Sequence, residues 1–260
     1  MTAALFIPDG DVFVPTGHAR GPWDRNAQHG GPPAALLARA VEALEAPAPM
    51  NVVRMTLELL RPVPLTPLRV TARVLRPGRR VQLVEATLHS GDVEVAKAAA
   101  LRIRSEEAPP PPGQEDSPPP WPGPEAGDEQ RPPIDYESFP TTGAELRFVR
   151  GAFAQRGPAT VWIRLAVPVI PDEEPTALMR VVAAADFGNG VSAVLDWDDL
   201  FINPDLTVYL HRPLVGEWVC LDARTRIGAG SGLASSGLYD RRGSIGLAAQ
   251  ALYVERRTLR

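Results

Sequence analysis

A chain of 260 residues, 44% hydrophobic and 22% charged, carries enough apolar material for one large domain or two small ones, which excludes disorder throughout. Its formal charge of -4 argues against a nucleic-acid binder held by phosphate contacts. One cysteine, Cys220, excludes an internal disulfide and any multi-cysteine zinc or iron–sulfur centre; with no apolar run near the ~20 residues a membrane span needs and no leader pattern in MTAALFIPDGDVF, a soluble cytoplasmic chain is expected.

In chain order, the first segment with chemical content is Asn26-Ala27-Gln28-His29-Gly30-Gly31-Pro32-Pro33. It delivers two glycines to the start of a helix expected over Pro33–Glu45, whose apolar face is Leu37, Ala40, Val41 and Leu44. N–H groups at a helix start lack intrahelical partners and can hold an oxyanion, although the same glycines would also serve a plain chain reversal. Next, Val53, Met55, Leu57 and Leu59 alternate with Arg54, Thr56 and Glu58, the period of a half-buried strand. Strands are expected at Leu68–Leu75, Arg80–His89 and Val93–Arg104, with a hairpin at Ser90-Gly91-Asp92.

Proline then dominates. The chain has 29, about twice ordinary usage, and 11 of them fall between Pro109 and Pro133. This stretch predicts an extended surface connector. Beyond it the first half is echoed at a spacing of 151 residues: Met55-Thr56-Leu57-Glu58-Leu59-Leu60-Arg61-Pro62 lies opposite Leu206-Thr207-Val208-Tyr209-Leu210-His211-Arg212-Pro213. A second helix carries Leu178, Val181, Val182 and Ala185, opening at Thr176 and stopping at Gly188; strands are expected at Trp218–Arg226, Gly232–Tyr239 and Ile245–Glu255. One helix and a strand meander, twice over, predict an α+β protein with two antiparallel sheets, each wrapping its own helix. The expected units are 1–107 and 134–260, joined by 108–133.

Three second-half residues stand out. Asp186 closes the second helix, where the negative end of the helix dipole tends to raise a carboxylate pKa; it suits either a general base or a surface position. Asn203 precedes the strand ending in His-Arg-Pro, and Asn-Pro is also an ordinary turn opener. Gln250, among small apolar residues, would face solvent by simple alternation or point inward to hold a water. Gly228-Ala229-Gly230-Ser231-Gly232 completes neither a nucleophile elbow nor a dinucleotide fingerprint, and the histidines at 18, 29, 89 and 211 lack metal-ligand spacing. Cys220 sits on an alternating strand and reads as core.

With ADFGNG around Asp186, FINPDLTVYLHRPLVGEW around Asn203 and the late strand bearing Gln250, the chain resembles the thioesterase II-type (TesB-like) acyl-CoA thioesterases, which fuse two hotdog domains. The resemblance implies a double hotdog that hydrolyses an acyl-CoA, with Asp186 as base, Asn203 and Gln250 orienting the water, and Gly30 and Gly31 facing the thioester carbonyl beside His29. It implies no metal and no organic cofactor, and a homo-oligomer. Asn203 departs from the hydroxyl of the best-known members. Two other readings stay open: a hotdog 2-enoyl-CoA hydratase, since Asp24-Arg25-Asn26-Ala27-Gln28-His29 has D-x-N-x-x-H spacing with Ala27 in place of the usual proline, and an acyl-CoA binder without turnover.

Overall fold

The computed structural model describes residues 3–106, 110–196 and 199–255. The first half comprises β1 (Phe6–Asp9), β2 (Val12–Pro15), α1 (Gly31–Ala43), β3 (Met50–Leu59), β4 (Leu68–Arg76), β5 (Val81–Ser90) and β6 (Val93–Arg104). The second comprises β7 (Asp128–Glu129), β8 (Ala144–Arg150), β9 (Ala159–Leu165), α2 (Ala177–Ala185), a short α3 (Gly188–Val191), β10 (Leu200–Ile202), β11 (Asp205–Leu210), β12 (Val219–Ile227), β13 (Ser231–Asp240) and β14 (Gly243–Glu255). No helix among the described residues is long and apolar enough to cross a membrane.

α1 begins two residues before the expected Pro33 and stops at Ala43 rather than Glu45. Gly30 is the N-cap, and two prolines follow Gly31 in the first turn, where a missing N–H costs nothing. α2 is capped as expected: the Thr176 hydroxyl accepts the Met179 N–H at 3.2 Å. The helices pack on one another, α1 also against β4, β5 and β6 and α2 against β9, β11 and β12. Leu36, Leu37 and Val41 from α1 and Val181 and Val182 from α2 are buried in one continuous core. Each such side chain contributes about 1.5–3 kcal/mol through burial.

The expected pair of sheets is corrected to one. Fourteen strands form a single antiparallel sheet in the order β1-β2-β4-β5-β6-β3-β11-β14-β13-β12-β9-β8-β7, with β10 against β14. The halves meet edge to edge at β3 and β11, so neither repeat leaves that edge unpaired. Thr56 lies opposite Thr207 in this seam, their hydroxyls 3.2 Å apart. Residues at equivalent positions of the repeats therefore face each other, which places the pseudo-two-fold axis at this threonine pair.

β14 carries a bulge. Leu238 faces Gly246 and Tyr239 faces Ser244, leaving Ile245 as the extra residue, so inward-facing positions shift from Ile245 to Ala248, Gln250 and Leu252. A side chain at Gly246 would run into the Tyr209 carbonyl of the neighbouring strand. Cys220 is fully buried, and burial raises its thiol pKa.

The proline-rich stretch is docked on the second half. Pro124 is buried, the Trp162 Nε1–H donates to the Pro122 carbonyl at 2.8 Å, and the Trp121 ring meets Tyr239 edge-on at 5.0 Å. Asp116 pairs with Arg212 and Arg242 at 2.9 and 2.6 Å. The expected boundary at 107/108 and Pro109 lie outside the described residues.

Candidate active site

α1 and α2 run antiparallel, which brings the opening of α1 beside the close of α2 and joins residues from both halves. Asp186 is the C-cap of α2 and 5% exposed. Its Oδ1 accepts the Asn203 Nδ2–H at 2.8 Å and the Gln250 Nε2–H at 3.2 Å. Its Oδ2 lies 2.9 Å from His29 Nδ1. The Gly31 N–H is 3.1 Å from the same ring nitrogen, but a nitrogen this close to a carboxylate carries its own hydrogen, so the Gly31 N–H serves the carboxylate. Four donors thereby surround the carboxylate.

The expected upward pKa shift of Asp186 is not what this environment produces. Burial pushes the pKa up, but the adjacent His29, the Asn203 amide and the Gly31 N–H outweigh it and hold the carboxyl below its ordinary value.

Each donor is itself positioned. The His29 ring packs against Phe187 and Phe139, with centroids 4.6 and 5.1 Å away. Asn203 follows β10, and its Nδ2 also donates to the Asp205 carbonyl at 3.2 Å. Gln250 points inward and is 1% exposed. Its Oε1 accepts the Asn189 N–H at 3.0 Å, which turns Nε2 toward Asp186. That Nε2 also lies 3.3 Å from the Asp186 carbonyl, so both of its bonds are long. Asn189, which the sequence does not single out, and Gly188, read there only as the helix stop, matter here: a Cβ on Gly188 would stand 3.0 Å from Gln250 Oε1.

Gly30 and Gly31 are required by close approach. A Cβ on Gly30 would lie 2.8 to 3.0 Å from the Asp186 carboxylate, and one on Gly31 2.7 Å from the Ala183 carbonyl. With Gly31 committed to Asp186, and Pro32 and Pro33 lacking N–H groups, the Gly30 N–H is the donor this end of α1 leaves without a protein partner among the described residues.

A cavity of about 450 Å³ opens on this cluster. His29, Gly30, Asp186 and Asn203 belong to its polar part, and Trp23, Leu59, Leu60, Val63, Phe187 and Ile202 supply apolar wall. Gln250 is not on the wall; it stands behind Asp186. Asp24 lines the cavity, but its carboxylate caps the Asn26 N–H at 2.8 Å, and His29 takes Asp186 rather than Asp24 as its carboxylate partner. The D-x-N-x-x-H spacing therefore does not assemble an Asp24–His29 pair.

A search of curated protein sequences gives no match. Solved structures similar to the chain include a protein described as a thioesterase II from Thermobifida fusca YX, 18% identical, covering 96% of this chain and 95% of that one with a TM-score of 0.75. A hot dog fold protein of unknown function from Alicyclobacillus acidocaldarius is 17% identical, with 97% and 96% coverage and a TM-score of 0.76. The tesB protein of Mycobacterium avium subs paratuberculosis is 17% identical, with 96% coverage of both chains and a TM-score of 0.67. At these identities the likeness establishes the hotdog fold. Two family profiles go further, the acyl-CoA thioesterase N-terminal domain over residues 19–103 and its C-terminal domain over 105–254. The chain thus belongs to the acyl-CoA thioesterase family and is a thioester hydrolase.

Proposed function

We propose that the chain hydrolyses an acyl-CoA to the free acid and CoA, with water attacking the thioester carbonyl beside Asp186. The observation that carries this reading is the convergence of Asp186, Asn203 and His29 on one wall of an otherwise largely apolar cavity, with the Gly30 N–H alongside. The apolar wall suits the acyl chain. The water enters beside the long Gln250 contact and gives its proton to Asp186 as it attacks; collapse of the intermediate breaks the C–S bond, and the CoA thiolate takes that proton. Asn203 holds the water, Gln250 acts through Asp186 as a positioning residue, and the Gly30 N–H stabilises the oxyanion. The two units, 1–107 and 134–260 with connector 108–133, each supply part of this set, and the resemblance to paired hotdog sheets makes a homo-oligomer the expected assembly.

A second reading of the base rests on the 2.9 Å contact between His29 Nδ1 and Asp186. In that arrangement Asp186 orients the ring and Nε2 takes the proton, the logic of an imidazole steadied by a carboxylate. A pH profile of thiol release from acyl-CoAs separates them. Activity retained down to the carboxylate range supports Asp186 as base, whereas loss of activity well above that range supports the second reading. Tight acyl-CoA binding without CoA release would overturn the hydrolytic reading in favour of a binding protein.

A further inference from the structure

The duplication offers a controlled comparison at the Arg-Pro that ends each threonine-bearing strand. In the second half, Arg212 is a structural cation, its side chain 17% exposed. Its guanidinium grips both oxygens of Asp240, one at 2.8 Å, donates to the Gly243 carbonyl at 3.2 Å, and sits 2.9 Å from Asp116. Asp240 is fully buried at the β13–β14 hairpin, where it pairs with Gly243. The corresponding hairpin position between β5 and β6 is Ser90, paired with Val93. A serine hydroxyl stands where the carboxylate would be, and it bonds the Thr66 hydroxyl at 2.8 Å.

Arg61 therefore occupies the corresponding place without a carboxylate at the hairpin. Only its main chain is held, the N–H donating to the Val95 carbonyl at 3.2 Å. The residue is exposed, and its guanidinium has no hydrogen-bond or ion-pair partner among the described residues. It lines the same cavity as His29, Gly30, Asp186 and Asn203, and among the described residues it is the one arginine or lysine to do so. The other cationic candidate on that wall among the described residues, His29, is tied to Asp186.

We propose that Arg61 binds the phosphate groups of the CoA moiety at the cavity rim and so selects CoA esters over smaller thioesters; this rests on the acyl-CoA reading above. An unpaired guanidinium fork matches phosphate oxygens two at a time. The apolar wall is suited to the acyl chain, which leaves the exposed cation for the end of the substrate that stays in water. Because Arg61 is exposed, its attraction weakens as salt rises.

The test compares wild type, Arg61→Ala and Arg61→Lys on one acyl group carried by CoA and by N-acetylcysteamine, which has no phosphate. The expected result is a rise of about tenfold in KM for the CoA ester in Arg61→Ala with little change in kcat, partial recovery in Arg61→Lys, and a matching fall in the ratio of kcat/KM between the two esters. Calorimetric titration with CoA and with pantetheine gives an answer that does not depend on turnover: the substitution should weaken CoA and spare the ratio's pantetheine arm. An unchanged KM for the CoA ester, or equal losses on both carriers, would overturn the role of Arg61. Failure of the wild type to hydrolyse any thioester, with Arg61-dependent CoA binding intact, would sink the proposed activity and leave this assignment standing.

Discussion

The two ends of the helix pair are made from corresponding parts of a duplicated unit, yet they treat a carboxylate in opposite ways. Where α1 opens and α2 closes, Asp186 is buried among donors and its pKa is lowered. Where α2 opens and α1 closes, the Thr176 hydroxyl donates to Glu42 at 2.6 Å, and the Arg102 guanidinium caps the Leu44 carbonyl at 3.0 Å and meets Gln82 at 3.1 Å. Glu42 is exposed as a residue, but protein packed around its carboxyl pushes its pKa up against the pull of Thr176 and Arg102. The register gives the reason for the missing donor: Ala249 faces Thr207 and Ala99 faces Thr56, so the counterpart of Gln250 is Ala100, which has no amide to give. A carboxylate at a helix end is thus common to both ends, and the ring of donors is what distinguishes one of them.

This contrast can be broken at several levels. The largest effect is expected from Asp186→Asn, which should lower kcat/KM for thiol release about 1,000-fold, the scale of a lost general base; retention of activity within a few-fold would make the two ends equivalent. Gly30→Ala should cost about 100-fold in the same assay and lower the thermal midpoint, because its methyl group would press on the buried, hydrogen-bonded Asp186 carboxylate. Gln250→Ala should cost about tenfold in the same assay, the worth of one buried hydrogen bond to a charged group. Glu42→Gln, at the opposite end, should leave turnover within about twofold, as expected of a side chain outside the Asp186 donor ring.

The smallest effect is in stability, and its sign differs between the ends. Glu42 binds its proton more tightly in the folded state, so the stability it contributes is complete below its ordinary pKa of 4.5 and is lost as pH climbs through the raised folded value. Thermal midpoints should therefore show wild type falling behind Glu42→Gln as pH rises above 4.5. Asp186 behaves in reverse, contributing stability above its ordinary 3.8 that is lost as pH falls through its lower folded pKa. The lead of wild type over Asp186→Asn should shrink on acidification, and parallel slopes for the two variants would contradict the comparison.

Much of this architecture is legible in the chain because repetition and alternation are local. β6 spans Val93–Arg104 as expected, and the other meander strands fall within two residues of their expected limits. The strands β8 and β9 went unread, although Leu146 and Phe148 alternate inward with Glu145 and Arg147 between them. The direction of Gln250 was not decidable by counting, since the bulge at Ile245 reverses the phase of β14 partway along. The pairing of His29 with Asp186 lay further from reach, because it joins residues 157 positions apart on different halves, and nothing in either local segment names the other. Asp24 sits close to His29 in sequence and was the easier partner to imagine, but it is spent on its own turn. The union of the two sheets was hidden for a similar reason: β3 and β11 each alternate correctly, and alternation is silent about which edge a strand will meet.

The threonine seam has one further consequence. Asn203 immediately precedes the segment that leads into β11, and the Leu59 N–H at the end of β3 donates to the Pro204 carbonyl at 2.7 Å. The seam therefore works as a ruler between the halves. A slip of one residue along it would displace β11 by about 3.3 Å and turn its inward side chains outward. The separation of Asn203 from His29 would change by more than a hydrogen bond tolerates, without any substitution near the cavity. Alignment of the reactive groups is in this sense stored in the backbone ladder between the halves, and variants that loosen the ladder should misalign chemistry before they unfold the protein.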